Sequence, residues 1–209
     1  MTESDQSKPP GRTARRASST RRKLLDAALS RFAEVGVDAC SIQDITERAD
    51  VGKGTFYRHF EDKQALVSTL VQDSVGRLIE NLRSRKGQYR TLDDALAHLF
   101  DVHARFYNDR PETFILLFQS RLLLKLRRHG TEELGRLFQS YLGEIEQQLT
   151  PLVPPPADPV KVRRLACALT GYVSGYFSMA MISMKQEDIV AGMEALRQAF
   201  LAGTAQILR

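Results

Sequence analysis

Apolar residues recur every three or four positions along most of the chain, which is the spacing of an amphipathic α-helix. Leu25, Leu29 and Phe32 show this spacing near the start. No run of alternating apolar and polar residues is long enough to indicate a β-strand, and the 100 residues from 11 to 110 contain no proline to interrupt a helix. The pattern therefore predicts an all-α fold.

Local start and stop signals divide the pattern into about nine helices. A serine or threonine at 18–20 can begin the first helix and Gly36 can end it. Ser41 and Asp44 have the spacing of a capping box for the second. The predicted helices are approximately 18–36, 41–49, 53–59, 62–82, 91–109, 112–128, 131–150, 160–184 and 187–208.

Composition indicates a folded core and one separate charged segment. Of the 209 residues, 43% are hydrophobic, and the net charge is +5. Seven basic residues and no acidic residue lie between Lys8 and Lys23, so the remainder of the chain is slightly negative. We predict that residues 1–17 form a disordered basic arm. It acts either as a solubilising tail or as a segment that attracts an anionic partner, by phosphate contacts or by arginine insertion into a DNA minor groove.

The three short N-terminal helices, the second and third joined by a tight turn, have the order of a helix-turn-helix motif. Phe56 and Phe60 are spaced to anchor the third helix in a core. Cations, hydroxyls and an imidazole then remain on its outer faces, and these groups bind phosphates and base edges. Arg58 is open to two interpretations, a DNA contact or an ion pair with Glu61 or Glu47.

The sequence Ala-Asp-Val-Gly-Lys-Gly-Thr-Phe-Tyr-Arg-His-Phe at 49–60, followed by Asp62, Lys63 and Leu66, resembles the signature of the TetR family of transcriptional regulators. The specific resemblance covers about residues 20–67. It implies an all-α homodimer in which an N-terminal three-helix DNA-binding domain precedes a larger effector-binding and dimerisation domain. We place these domains at 18–65 and 66–209.

The resemblance also implies which side chains contact DNA. Gly52 departs from the family pattern, because a serine or threonine is frequent there and its hydroxyl is lost. Gly52 and Gly54 instead allow a backbone to approach closely. The predicted DNA-binding residues are Ser41, Gly52, Lys53, Gly54, Thr55, Tyr57, His59 and Lys63.

Aromatic residues are concentrated between positions 100 and 141. His103 lies in an apolar helical stripe there, so it is either a satisfied core residue or a polar contact for a ligand. Likewise the aromatic side chains either fill the core or line a cavity. The predicted ligand-binding residues are Phe100, His103, Phe106, Phe114, Phe118 and Tyr141.

Residues 165–184 carry no charge and contain a Gly-x-x-x-Gly pattern at Gly171 and Gly175. The length would span a bilayer, but serine, threonine and tyrosine residues make the segment only moderately apolar. We therefore predict that it is a dimer interface together with the last helix, and not a membrane span. The predicted interface residues are Ala166, Leu169, Gly171, Val173, Gly175, Phe177, Met193, Leu196 and Phe200.

The sequence offers no catalytic motif and no metal-ligand spacing, so we expect a non-enzyme without a cofactor or metal. Asp94, His98 and Asp101 share a helix face, which surface pairing explains better than metal binding. Two cysteines lie 127 positions apart and no apolar leader is found, so we expect a cytoplasmic protein.

These features together predict a sequence-specific DNA-binding regulator, acting as a repressor that binds a palindromic double-stranded operator. A small, mainly apolar effector would release it. The alternative is an all-α small-molecule-binding protein whose DNA-binding head is degenerate. Salt-dependent retention on DNA distinguishes the two classes.

Overall fold

The computed structural model describes residues 12–126, 132–155 and 158–207, which fold into α-helices without any strand. This confirms the all-α prediction. The last predicted helix is divided in two by Gly192 alone, and otherwise the described helices follow the predicted order. They are α1 (Arg12–Val35), α2 (Ile42–Arg48), α3 (Lys53–Tyr57), α4 (Lys63–Arg83), α5 (Leu92–Asp109), α6 (Pro111–Leu126), α7 (Glu132–Leu149), α8 (Pro159–Ser183), α9 (Gln186–Ala191) and α10 (Met193–Ile207), with a 3₁₀ turn at Thr150–Leu152.

Side-chain caps explain why several helices begin where the sequence predicts. The hydroxyl of Thr91 accepts a hydrogen bond from the backbone N–H of Asp94 at 3.1 Å at the start of α5. The Asp158 carboxylate accepts one from the N–H of Val160 at 2.8 Å, and Pro159 occupies the first position of α8. Both caps satisfy donors that a helix start leaves without a partner.

Helix α1 begins at Arg12, so serines and threonine at 18–20 lie inside it and do not cap it. The residues from Arg12 onward are arginine- and alanine-rich and free of glycine and proline, which favours helix over disorder. The hydroxyl of Thr20 donates to the carbonyl of Arg16 at 3.0 Å, as a hydroxyl inside a helix can. Residues 1–11 of the predicted arm lie outside the described residues.

One compact unit comprises residues 1–70. Its described part contains α1, α2 and α3 and the beginning of α4, and it has the helix-turn-helix order. Gly36, with φ of +83°, ends α1, and Asp50, with φ of +54°, forms the turn between α2 and α3. The core of this unit is apolar and almost fully buried; it includes Leu24, Ala28, Phe32, Ile45, Phe56 and Leu66.

The second compact unit comprises residues 71–209, so the division falls inside α4, five residues beyond the predicted boundary. Helices α5, α7, α8 and α10 pack around its core. The fully buried side chains there include Leu96, Leu99, Phe100, Ile145, Leu165 and Leu169.

A buried carboxylate fastens α7 to the C-terminal end of α4. The Glu144 side chain is almost inaccessible, and it accepts hydrogen bonds from Arg83 Nε at 2.8 Å and Lys86 Nζ at 2.8 Å. Gln148 adds a third bond at 3.1 Å. Burial opposes ionisation of Glu144, but these donors outweigh it and the pKa is lowered.

Candidate DNA-binding surface and ligand clefts

The start of α2 is a complete capping box. The Ser41 hydroxyl accepts from the N–H of Asp44 at 3.1 Å, and the Asp44 carboxylate accepts from the N–H of Ser41 at 2.8 Å. These bonds lower the pKa of Asp44. Ser41 is exposed, so a phosphate could reach it as predicted. Its hydroxyl already donates a hydrogen bond to the Asp44 carboxylate at 2.7 Å, and a phosphate would compete for that bond.

Helix α3 is short and is held to the core by aromatic packing. Phe56 is fully buried, and its ring centroid lies 5.7 Å from that of Phe60. Burying this side leaves Tyr57 exposed, with 57% of its surface accessible. Lys53 is exposed as well, and its ammonium donates to Gln43 Oε1 at 3.1 Å.

Gln43 is a residue of this surface that sequence reasoning missed. It lies on α2, is exposed, and contacts Lys53 of α3. The sequence could have indicated it, because Gln43 lies two residues after the cap residue Ser41 and is polar on a helix whose apolar residues face the core. This hydrogen bond therefore connects the exposed polar surface of α2 to that of α3.

Arg58 follows α3 as its C-terminal cap residue, and its guanidinium donates to Thr55 Oγ1 at 2.9 Å. No ion pair joins it to Glu61 or Glu47 within this described segment. His59 is half-buried beside it. The guanidinium is thus held against the recognition helix and keeps further donors free.

The two glycines of α3 have no internal packing requirement. A Cβ built on Gly52 or Gly54 would meet no atom within 4 Å. Gly52 occupies the N-cap position without a side-chain cap. Open space at both positions is compatible with the predicted close approach of another molecule.

Lys63 differs from the other predicted DNA contacts. Its ammonium donates to the carbonyls of Val37 at 2.8 Å, Asp38 at 3.3 Å and Cys40 at 2.7 Å. An ammonium has three donors, and these bonds use all of them. Lys63 therefore fixes the loop between α1 and α2, and its predicted DNA contact would require it to exchange one of these partners.

Comparisons with known proteins agree with this geometry. Residues 24–70 match the sequence profile of bacterial regulatory proteins of the tetR family. The chain is 28% identical over 195 residues to the HTH-type transcriptional regulator AcrR of Shigella flexneri, covering 85% of this chain and 86% of AcrR. It is 26% identical over 129 residues to the uncharacterised HTH-type transcriptional regulator YvdT of Bacillus subtilis, covering 60% of this chain but only 62% of YvdT.

The fold is also similar to that of a solved structure. The transcriptional regulator FadR from Bacillus subtilis, in complex with stearoyl-CoA, superposes with a TM-score of 0.70 at 20% identity. The superposition covers 87% of this chain and 98% of FadR.

Over residues 24–70 the chain matches the TetR family, and over 195 residues it is similar to the regulator AcrR. The profile falls on the unit that contains the exposed α3, and similar proteins with an HTH-type name extend over the second unit as well. The resemblance inferred from residues 49–60 is thereby confirmed.

In the second unit, His103 is a core residue whose two ring nitrogens both have hydrogen-bond partners. Nδ1–H donates to the Leu99 carbonyl at 2.6 Å, which leaves Nε2 to accept from the Tyr141 hydroxyl at 2.5 Å. Complete burial lowers the pKa of His103 to about 4, so the ring is neutral at pH 7. Burial raises the pKa of Tyr107 and Tyr141, which therefore stay protonated.

The six predicted ligand residues do not surround one cavity. Phe100, His103 and Phe114 are buried and contact other aromatic rings. Tyr107, which the sequence prediction omitted, packs between several of these rings. Phe118 stacks under the guanidinium of Arg121 at 5.6 Å.

Phe106 and Tyr141 instead line two different clefts within the second unit. The Phe106 cleft has a volume of about 630 Å³ and lies among α4, α5 and the start of α6. The Tyr141 cleft has a volume of about 320 Å³ and includes residues of α6, α7 and α8. The first is lined by Arg77, Glu80, Asn81, Ser84, Val102, Arg105, Phe106, Asp109, Arg110 and Thr113.

The Phe106 cleft has several charged side chains in its lining. Three arginines and two carboxylates line it, and the Thr113 hydroxyl in its wall is buried and without a hydrogen-bond partner among the described residues. A mainly apolar lining, as predicted from the aromatic residues, is therefore not what this cleft provides.

Helix α8 buries the face that the sequence assigned to the dimer interface. Ala166, Leu169, Val173 and Phe177 are at most 2% exposed within the monomer. Phe200 of α10 is also buried, whereas Met193 and Leu196 are half-buried. These five side chains pack inside the monomer, so the residues of the predicted interface that α8 leaves exposed are Gly171 and Gly175.

The opposite face of α8 is exposed and carries Cys167, Gly171, Gly175, Met179 and Ile182. Met179 is 67% and Ile182 81% exposed. By length and composition, this one helix among the described residues could cross a membrane, and 44% of its apolar window is buried inside the protein.

The acidic and histidine residues do not form a metal site in the part of the chain that the structure describes. Asp94 pairs with Arg85 and Asp101 pairs with Arg197, while the His98 ring lies near Tyr89. The cysteines differ in environment, because Cys40 is buried and Cys167 is exposed.

Proposed function

We propose that this TetR-family protein is a cytoplasmic, sequence-specific repressor that binds double-stranded operator DNA as a homodimer. The observation that carries the proposal is the exposed polar surface of α3. Its hydrophobic side is anchored by Phe56, while Lys53, Thr55 and Tyr57 are available to a major groove.

The dimer is supported by the exposed apolar face of α8. A row of small residues, Cys167, Gly171 and Gly175, continues into Met179 and Ile182. Small residues permit close helix approach, and large exposed side chains favour burial by a partner. A two-fold dimer presents two recognition helices, which explains why we expect a palindromic operator.

We assign effector binding to the Phe106 cleft. Phe106 and Val102 offer an apolar contact, and the three arginines against two carboxylates leave the lining with a net positive charge. This combination favours a small molecule with both an apolar part and an anionic group. FadR of Bacillus subtilis, which has a similar fold, was solved with stearoyl-CoA.

Helix α4 provides a physical route for release, because its residues belong to both compact units. A ligand shifts a conformational equilibrium only if it binds one state more tightly. The effector would favour the conformer whose two α3 helices no longer match successive major grooves.

The test is selection of bound duplexes from a random DNA pool, followed by affinity measurement. We expect enrichment of inverted half-sites about one helical turn apart. Replacing Tyr57 with alanine should weaken binding to all duplexes, and replacing Lys53 should change the preferred sequence. Arg136→Ala, at an exposed position on α7, is the control. No enrichment, or unchanged affinity of a folded Tyr57→Ala, Lys53→Ala double variant, would refute the proposed role of α3.

A further inference from the structure

A basic cleft lies between the N-terminal turns of α1 and the C-terminal end of α3. Its volume is about 400 Å³, and all of its lining residues belong to the first compact unit. The lining consists of Arg16, Ala17, Thr20, Thr55, Arg58 and His59. It therefore combines two guanidiniums, an imidazole and two hydroxyls, with no carboxylate.

The arginines of α1 have different surroundings. Arg21 packs over the Phe60 ring at 5.0 Å and donates to Thr69, so it holds α1 against α4. Arg22 is paired with Asp26 at 3.8 Å on an exposed face. Arg16 is exposed and makes no side-chain ion pair within the described part of the chain. Of these three, only Arg16 lines the cleft.

Arg58 lines the same cleft from the C-terminal cap of α3. Its bond to Thr55 Oγ1 fixes the guanidinium at the cleft without neutralising its charge. Two guanidiniums can bind the oxygens of one phosphate with paired, charge-assisted hydrogen bonds. The hydroxyls of Thr20 and Thr55 already take part in local hydrogen bonds and provide polar walls.

We propose that this cleft binds a backbone phosphate of duplex DNA, held between Arg16 of α1 and Arg58 at the C-terminal cap of α3. The inference rests on the proposed DNA-binding function. It adds Arg16 as a DNA contact and assigns a phosphate to Arg58, whose role the sequence left open, beside the predicted contacts Thr55 and His59. Thr55 and His59 belong both to the cleft and to the predicted DNA-binding residues, so a phosphate bound here would lie next to the recognition helix. The contact positions α3 and carries no sequence information.

Salt dependence tests the proposal without knowledge of the operator. The probe is a fluorescein-labelled 24-base-pair duplex of arbitrary sequence, and fluorescence anisotropy gives the affinity of the full chain between 50 and 200 mM NaCl. Each phosphate contact contributes about 0.9 to the slope of log affinity against log salt. Between 50 and 200 mM NaCl, a protein that lacks one phosphate contact therefore loses about 3.5-fold less affinity than the wild type does.

The variants are Arg16→Gln and Arg58→Gln, with Arg22→Gln as the matched control. Arg22 lies on the same helix, and its replacement removes the same charge from a different face. We expect each test variant to lower the slope by about one for every chain of the complex that contacts DNA, and the control to leave it unchanged. Preference between two unrelated duplexes should stay the same in all of them, and thermal unfolding verifies that each variant is folded.

Two outcomes overturn the cleft assignment alone. One is a wild-type slope in folded Arg16→Gln and Arg58→Gln, and the other is an equal decrease in Arg22→Gln, which would reveal a general effect of net charge. Failure of the wild-type chain to bind duplex DNA would instead overturn the proposed function itself.

Discussion

His103 shows how a residue that looks suited to ligand binding is used in the core. The ring has a carbonyl partner on one nitrogen and a tyrosine hydroxyl on the other, and no surface of it is accessible. A buried histidine with both nitrogens satisfied is stable only when neutral. Its chemistry therefore affects stability rather than ligand recognition.

We predict that His103 makes stability depend on pH between about 6.5 and 4. In this range His103 binds a proton in the unfolded chain but stays neutral in the folded protein, because burial lowers its pKa there to about 4. Stability should fall as pH decreases, by about 1.5 kcal/mol between pH 6.5 and 5 from this group alone. Urea unfolding at several pH values measures it.

The matched variant is His103→Gln, which should be less stable at pH 7 but should lose less stability than the wild type between pH 6.5 and 5. His98, whose pKa is lowered mainly by burial, contributes in both proteins. Parallel pH profiles for the two proteins would contradict the assignment to His103.

At the scale of secondary structure elements, the α1–α2 loop depends on a side chain from α4. The Lys63 ammonium donates to the carbonyls of Val37, Asp38 and Cys40, which all belong to this loop. This connection fixes α2, and with it the exposed residues next to α3. Lys63, to which the family resemblance assigns a DNA contact, therefore also stabilises the α1–α2 loop.

We expect Lys63→Met, which keeps most of the aliphatic stem, to destabilise the protein by about 1–3 kcal/mol, since hydrogen bonds from a charged donor are lost. Lys53→Met is the control, because its ammonium makes a single exposed bond to Gln43. Thermal unfolding compares them. An unchanged melting temperature for Lys63→Met would leave phosphate binding as the simpler role of Lys63.

Much of this level of organisation was predictable because helix starts depend on local chemistry. Ser41 with Asp44 and Asp158 with Pro159 act within a few residues of each other. The buried face of α8 was not predictable, because both sides of that helix are apolar or small. Only packing reveals that Phe177 faces the core while Met179 faces outward.

The candidate sites likewise divide into one that the sequence could predict and others that it could not. The recognition helix could be predicted from a contiguous motif, whereas each cleft is assembled from distant segments. Arg77, Arg105 and Thr113 belong to three helices, and Arg16 reaches the end of α3 from α1. No residue spacing in the sequence indicates that these distant side chains meet in one cleft. Aromatic density indicated the region of Phe106 but not its charged surroundings.

For the whole molecule, the exposed face of α8 offers a direct test of the proposed homodimer. A Cβ built on Gly175 would meet no atom within 4 Å, so the monomer accommodates a larger residue there. We expect Gly175→Phe to keep its fold but to dissociate at concentrations where the wild type is dimeric. Sedimentation equilibrium measures the difference, since the new side chain would prevent close helix approach.

Gly135→Phe is a control on α7, where a built Cβ likewise meets no atom within 4 Å. It should leave the association constant unchanged. A wild-type chain that stays monomeric at micromolar concentration, or a Gly175→Phe variant that associates as strongly as the wild type, would refute an interface on this face.

The contrast between the two cysteines gives the protein a built-in site for chemical labelling. Burial raises the pKa of Cys40 and keeps its thiol from solvent, whereas Cys167 is exposed beside Gly171. Because the thiolate is the reactive form, a maleimide should react with Cys167 wherever the exposed face of α8 is uncovered and should leave Cys40 unmodified. The rate of labelling of the wild-type chain at rising protein concentration therefore reports whether a partner covers this face.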